Sequence, residues 1–328
     1  MNYRHAFHAG NAADCVKHAL LVWLIDAMRR KPAPFAVIDT HAGSGRTDLA
    51  GDAAGRTGEW RSGIARLWPD PPDLLRRYVS LALPHGLPGD AAPDRGKGPD
   101  GPGTGGTGTG GPGTDATGAG GAGTHAGAAD AAGPEPRPYL GSPALARALL
   151  RPQDRLLCCE LHPEEHATLR RLFGGDPQVA VHRRDGHDAL RAFLPPAERR
   201  ALVLLDPPFE QPDEFARLAA TLAGAHARFP GAVLAAWYPV KHRAPVRAFH
   251  AAIRDAGAGG PALRDVVAAE LWLRAPTEPS RLNGSGLLVV NPPWRFEAEA
   301  AGLLAALLDR LGTGEPGQGT TIARLLDE

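Results

Sequence analysis

Cysteine is scarce in this chain. There are three among 328 residues, two of them adjacent at Cys158 and Cys159. That count excludes a disulfide framework and a four-thiolate zinc site. The adjacent pair sits in a strand-like run, RLLCCEL, and is expected in the core. An excess of charge of either sign is also missing, because Lys plus Arg and Asp plus Glu number 36 each. No global field therefore recruits nucleic acid, and such binding must use local patches. No apolar run is long enough to span a membrane, and the opening MNYRHAFHAGNAADCVKHALLVWLIDAMRRK lacks a signal-peptide layout. The expectation is a soluble, cytoplasmic protein with no membrane partner. Sustained heptads are absent, which favours a monomer. From Gly89 to Pro138 no residue is more apolar than alanine or proline. That segment cannot bury enough surface to offset its ordering entropy. A disordered insertion over residues 86–137 is expected, with no catalytic role.

What remains is a regular alternation. Residues 12–30 read as a helix, with Val16, Leu20, Leu24 and Met28 on one face and Arg29, Arg30 and Lys31 at its end. PFAVID (34–39) reads as a first buried strand, followed by the glycine-bearing turn DTHAGSGRTDL. Order resumes with a helix at PYLGSPALARALL. Three strand–helix units follow, in DRLLCCELHPEEHATLRRLF, VAVHRRDGHDALRAFL and ALVLLDPPFEQPDEFARLAATLAGAH. AVLAAWYPV and VVAAELWL are further strands, GLLVVNPPW completes the sheet, and a terminal helix covers about 297–310. Alternating strands and helices imply an α/β fold, with a mostly parallel sheet covered on both faces.

The strand ends carry the chemistry. The first strand ends at Asp39 and runs into Gly43 and Gly45, where bare backbone can approach a ligand closely. A nicotinamide fingerprint would want glycine at Asp48, and a Walker loop would want Gly-Lys-Ser/Thr; both are missing. The next strands end at Glu160, Asp185 and Asp206. An acid after the second strand is the usual partner of a ribose diol. Together the acids outline a nucleoside-bearing cofactor across the sheet edge. The plainer reading is that Glu160 and Asp185 merely cap the helices that follow.

At Asp206-Pro207-Pro208-Phe209 the apolar run 201–205 stops, because proline cannot feed a sheet ladder. A carboxylate, a proline carbonyl and an aromatic ring suit a flat base with an exocyclic amine. The ring stacks on the base, while the carboxylate and the Pro207 carbonyl each accept one N–H. Positioning and electrostatics then suffice to aim the amine's lone pair at an electrophile. The base must first leave its stack.

These residues resemble the class I S-adenosylmethionine-dependent amino-methyltransferases, which carry Asp/Asn-Pro-Pro-aromatic after their fourth strand. The segments YRHAFHAGNAADCVKH, DTHAGSGR, RTGEW, YLGSP, ELHP, DGHDAL, LLDPPFE, WYPV and SGLLVVNPPW are similar to those of the RlmJ-type bacterial 23S rRNA adenine-N6-methyltransferases. The resemblance covers nearly the whole chain apart from roughly 86–137. It implies a Rossmann-like class I methyltransferase domain over 1–328. A small helical subdomain (46–150) is inserted between the first and second strands of the core. It implies S-adenosyl-L-methionine as cofactor, contacted by Lys17, His18, His41, Ser142, Glu160, Asp185 and Gly186, with Asp39, Gly43 and Asp206 in the same site. It further implies Asp206 as the catalytic acid, Pro207, Pro208 and Phe209 as the rest of the amine clamp, 23S rRNA as substrate, and Tyr3 as a residue that meets it.

Other features are weighed beside this. Asn291-Pro-Pro-Trp294 repeats the tetrapeptide, but late and outside the acid series. It is expected to be structural, with Trp294 packing. His5, His8, His18 and His41 lack the carboxylate or cysteine spacing of zinc ligands, so no metal is expected. Two basic patches are candidate RNA contacts: Arg4 with Lys17, Arg29, Arg30 and Lys31, and the acid-free run holding Lys241, Arg243, Arg247 and Arg254. Two rival functions are a DNA adenine-N6-methyltransferase and a non-catalytic rRNA-binding assembly factor. The first would normally bring a target-recognition domain, for which no ordered segment is large enough. Intact Asp206, Glu160 and Asp185 disfavour the second.

Overall fold

A computed structural model describes residues 7–68, 70–84, 138–258 and 263–327. Tyr3, Arg4, His5 and the insertion 86–137 lie outside the described residues.

Short apolar runs bounded by Pro, Gly or charge become the strands of one sheet. β1 is Ala36–Asp39, and a two-stranded ribbon pairs β2 (Arg46–Asp48) with β3 (Pro138–Leu140). The main sheet continues with β4 (Arg155–Cys159), β5 (Val179–His182), β6 (Ala201–Leu205) and β7 (Val233–Val240). It is completed by β8 (Val266–Trp272), β9 (Gly284–Val290) and β10 (Gly319–Leu326), in the spatial order β10-β8-β9-β7-β6-β1-β4-β5. β5, β4, β1, β6 and β7 run parallel, while β9 runs against β7 and β8, and β10 against β8. The chain moves from β1 outward to β5, then returns to the other side of β1 at β6. That reversal opens a crevice at the carboxyl ends of β1 and β6, the place where such sheets bind ligands. This is a Rossmann-like arrangement.

Helices cover both faces. α1 (Ala12–Arg29) and α9 (Phe296–Leu311) pack on one side, α7 (Glu214–Arg228) and α8 (Arg243–Ala258) on the other. α1 is apolar nearly all round and accordingly buried nearly all round. The Asn11 side chain caps it by accepting the Asp14 N–H at 2.9 Å. Between β1 and β4, besides the ribbon, lie α2 (Asp52–Thr57), α3 (Asp73–Ala82) and α4 (Ser142–Leu149). The remaining crossover helices are α5 (Pro163–Leu172) and α6 (Gly186–Phe193). Cys15, Cys158 and Cys159 are buried and free, as a core role requires.

Two expectations need correction. The sheet does not finish with GLLVVNPPW: GTTIARLL adds β10 as its antiparallel edge. That strand is only partly covered, so its apolar residues are too few to mark it in the sequence. The segment PYLGSPALARALL is not all helix either. Its Pro138, Tyr139 and Leu140 pair with β2.

Candidate active site

Four acids meet at the carboxyl edge of the parallel strands. Each is placed there because its strand's apolar run ends one to four residues earlier. Asp206 follows β6 and keeps a partly open carboxylate. Lys17, from the second turn of α1, donates to Asp206 Oδ2 at 2.5 Å and pairs with Asp14 Oδ1 at 2.8 Å. Burial alone would lower the Lys17 ammonium's pKa. The two carboxylates, Asp14 and then Asp206, outweigh it and hold it well above the ordinary lysine range. Lys17 is thus a permanent cation that fixes Asp206 and leaves Oδ1 available to accept.

Pro207 is buried and Pro208 half-buried. Phe209 adopts φ +51°, a left-handed backbone conformation costly for an aromatic residue. Its ring lies 4.8 Å from that of Phe215 and 5.9 Å, edge-on, from that of Trp237. The strained tetrapeptide turn is therefore backed by two further rings.

Asp39, at the end of β1, is fully buried. Burial pushes its carboxyl up to about 6, while the Ser142 hydroxyl bonded to it pulls the other way and Asp206 adds to the rise. Ser142 arrives through the ribbon. The Gly141 N–H donates to the Gly45 carbonyl at 3.0 Å and starts α4 beside β1. Gly45, at φ +76°, has no room for a side chain between Leu169, Leu172 and Pro143.

Glu160 points its two oxygens at backbone: Oε2 accepts the Gly43 N–H at 2.8 Å and Oε1 the His162 N–H at 2.7 Å. Burial raises its carboxyl above the usual range. Asp185 does cap α6, accepting the His187 N–H at 2.9 Å, and it also binds Arg217 at 2.8 Å. The capping reading is thus true of Asp185, whereas Glu160 holds the N–H of His162, the N-cap residue of α5, a helix that no side chain caps. Neither role excludes a ligand, since both residues also line a cavity of about 150 Å³ with Thr40, His41, Gly186 and Glu214. Gly186 is obligatory: a Cβ there would sit 2.0 Å from the Thr40 carbonyl oxygen. The α6 N-terminus can approach β1 only with bare backbone.

His41 is held neutral. Burial and the neighbouring His187 lower it to about 3. The Thr40 hydroxyl donates to the Leu204 carbonyl at 2.9 Å, so it accepts the His41 Nδ1–H at 2.8 Å. The His41 Nε2 is left as an acceptor. His18 does not open to the cavity. It is fully buried, with Nδ1 2.6 Å from the Tyr139 hydroxyl, which in turn lies 3.0 Å from that of Tyr78.

Asp14, His187 and Glu214 belong to this site and carry no mark in the sequence. His187 contacts Glu214 at 3.0 Å and the Thr221 hydroxyl at 2.7 Å, and is lowered to about 4 by burial and then by Arg217. The second Pro-Pro motif stands apart. Asn291, at φ +52°, donates to the carbonyls of Pro230 and Ala232, both at 2.7 Å. It staples two loops, whereas Trp294 is 79% exposed under Arg295 and does not pack as expected. Among the described residues no group of three or more His, Cys, Asp or Glu side chains could hold a metal ion. No described helix is long and apolar enough to cross a membrane.

A family model described as "Ribosomal RNA large subunit methyltransferase D, RlmJ" matches residues 32–83 and 131–322. "Ribosomal RNA large subunit methyltransferase J" of Escherichia coli (strain K12) is 33% identical, covering 96% of each chain. The protein of that name from Haemophilus influenzae is 32% identical over the same shares. A crystal structure of a Legionella pneumophila protein superposes with a TM-score of 0.74 at 28% identity, covering 97% of this chain and 98% of that one. The chain belongs to the RlmJ family of methyltransferases.

Proposed function

We propose that this protein transfers a methyl group from S-adenosyl-L-methionine to N6 of one adenine in 23S ribosomal RNA. The observation that carries the reading is the Asp206-Pro-Pro-Phe turn at the end of β6, with its carboxylate fixed by the buried Lys17. The two curated relatives named above support the substrate class.

The residues at the sheet edge fit the cofactor. Glu160 stands where a ribose diol would be bound. Asp185 and the bare backbone of Gly186 stand where an adenine edge would lie, and the neutral His41 offers an acceptor beside them. Asp39, Gly43, Ser142 and Lys17 complete the cradle. His18 acts from behind, through the Tyr139 hydroxyl that secures the ribbon leading to Ser142. When bound, S-adenosylmethionine supplies an electrophilic methyl group.

The chain's own residues do the rest. Phe209 stacks on the extruded base. Asp206 Oδ1 and the Pro207 carbonyl accept the two amine N–H groups, and Pro208 stiffens the turn. The hydrogen bonds draw the nitrogen lone pair out of conjugation and aim it along the line of transfer. The nitrogen gains a methyl and gives up one proton, which Asp206 can take and pass to solvent. Lys17 keeps Asp206 oriented without itself accepting a proton, since its ammonium is held far above neutrality.

Tyr3, Arg4, Lys241, Arg243 and Arg247 are assigned to RNA binding. The last three are exposed at or just before the start of α8. One methyltransferase domain spans 1–328, with 46–150 as an insertion subdomain. The test is transfer of labelled methyl to protein-free 23S rRNA and, in parallel, to duplex DNA. Transfer to rRNA alone supports the reading. Transfer to DNA alone, or cofactor binding without any transfer, would replace it with one of the rival functions.

A further inference from the structure

The sheet edge carries a second cavity that the methylation site does not use. It has a volume of about 390 Å³ and lies between α8 and the strands β8 and β10. Arg243, Arg247, His250, Glu270, Trp272 and Thr321 line it. β7 and β8 both end at this level, since Val240 and Trp272 each pair with Gly284. Leu205, the last residue of β6, pairs with Ala236, four residues before Val240. With about 4.8 Å between strands and 3.3 Å per residue, Trp272 stands roughly 20 Å from the Asp206 turn, on the same edge.

The wall of this cavity is unusually determined. Trp272 donates its indole N–H to Glu270 Oε2 at 2.9 Å, and the Tyr238 hydroxyl donates to Oε1 at 2.8 Å. Tyr238 is therefore an acceptor toward His250 Nε2, 3.1 Å away. Gly286 reserves the space, because a Cβ there would meet the Tyr238 ring at 2.3 Å. Three polar groups, His250 of α8, Tyr238 of β7 and Glu270 of β8, thus lock one tryptophan ring in place. A buried carboxylate without Lys or Arg beside it is an expensive way to hold a side chain. The Arg243 guanidinium lies over that ring, 4.5 Å from its centroid. Arg247 is exposed at the mouth, and among the described residues neither guanidinium has a carboxylate partner. Glu270 forms no ion pair with either of them; the basic side chain beside it is His250, whose Nε2 lies 3.6 Å from Oε1.

A fixed indole face, a guanidinium that can stack or slide aside, and a second free guanidinium match a flat ring that carries a phosphate. We propose that this cavity binds one nucleotide of the substrate RNA away from the methylated adenine: Trp272 and Arg243 hold its base and Arg247 its phosphate. The inference rests on the reading of the substrate as RNA. The 20 Å span is about six stacked nucleotides at 3.4 Å each, fewer if the strand is extended.

Direct binding and methyl transfer test it separately. Binding is measured by fluorescence anisotropy of a labelled single-stranded RNA 12-mer on the full chain, with 5′-AMP as competitor. Transfer is measured on protein-free 23S rRNA. Trp272→Ala should weaken binding and raise the rRNA KM by about 5- to 150-fold, the effect of losing one stacked base, with kcat and cofactor affinity kept. Arg247→Ala should lower the slope of log affinity against log salt by about one, and Arg247→Lys should restore it. Among the described residues Arg247 has no hydrogen-bond partner, so its variants probe the site even if Trp272→Ala fails to fold. Unchanged 12-mer affinity and salt slope in the Arg247 variants would overturn the proposal. So would a cavity that 5′-AMP fills without displacing RNA. Wild type that binds RNA but transfers no methyl would defeat the methylation reading instead, while binding alone still decides the cavity.

Discussion

Replacing Lys17 with methionine removes one cation from between two carboxylates. Asp14 Oδ1 and Asp206 Oδ2 both lie within 2.8 Å of the Lys17 ammonium. Their oxygens are therefore no more than about 5 Å apart. At an effective dielectric of about 20, two unit charges at that distance repel by about 3 kcal/mol. Breaking a buried pair by removing one partner costs about 3–5 kcal/mol. The Lys17 and Asp14 side chains are 4% and 5% exposed, and Asp206 12%, so solvent screens little of this. The expected loss is about 3 kcal/mol at pH 8. It must shrink as pH falls. Without Lys17 the carboxylate pair holds a proton in the native state that the unfolded chain has already released. Stability of the variant then falls as pH rises above about 4, the unfolded carboxylate range, a slope added to the one that the raised Asp39 carboxyl already gives the wild type. Urea unfolding at pH 5, 6, 7 and 8 reads the difference, with about 1 kcal/mol expected at pH 5. Adding Asp14→Asn should recover about 2 kcal/mol at pH 8, because it removes the repulsion and keeps an acceptor for the Gly10 N–H. Methyl transfer should fall about 100-fold, since Asp206 loses its fixed orientation. A stability loss equal at all four pH values would refute the electrostatic origin and leave only lost packing.

Further outcomes follow from the same geometry. Asp39→Asn should stabilise the fold by about 1–3 kcal/mol at pH 8, because the native carboxyl titrates at about 6 instead of 3.8. Its folded value is raised, so ionising it costs stability as pH rises from about 4 through 6. The gain at pH 5 should be about 1 kcal/mol smaller, while cofactor affinity, read by calorimetry, falls. Asn291→Ala should cost about 1–3 kcal/mol in denaturant unfolding, from two lost hydrogen bonds and a left-handed backbone position, with transfer per folded molecule unchanged. Gly186→Ala should abolish cofactor binding, because the Thr40 carbonyl occupies the new methyl's place; calorimetric affinity within twofold of wild type would contradict the tight approach of α6 to β1.

Much of the fold is written locally. Ala201–Leu205 is apolar in a row and then meets Asp206 and two prolines, so both the buried strand and its end follow from residues side by side. Glu160 and Asp185 are read the same way, as the first acids past their strands. What local reading misses depends on distant partners. Lys17 and Asp206 are 189 residues apart, and His187 and Glu214 are joined only because α6 and α7 pack together. The ribbon of β2 and β3 is three residues long on each side and separated by about ninety, too short for any periodicity. Trp294 was expected to pack because tryptophan is large and apolar. The chain turns outward after Asn291 and leaves it beside Arg295 instead.

The most direct test is the identity of the product. Protein-free 23S rRNA is incubated with labelled S-adenosylmethionine and either wild type or Asp206→Ala, then digested to nucleosides for mass spectrometry. The expected result is N6-methyladenosine from wild type alone, with both proteins binding the cofactor. Equal N6-methyladenosine from Asp206→Ala, or methylation at another atom, would contradict the assignment of the β6 turn as the amine clamp.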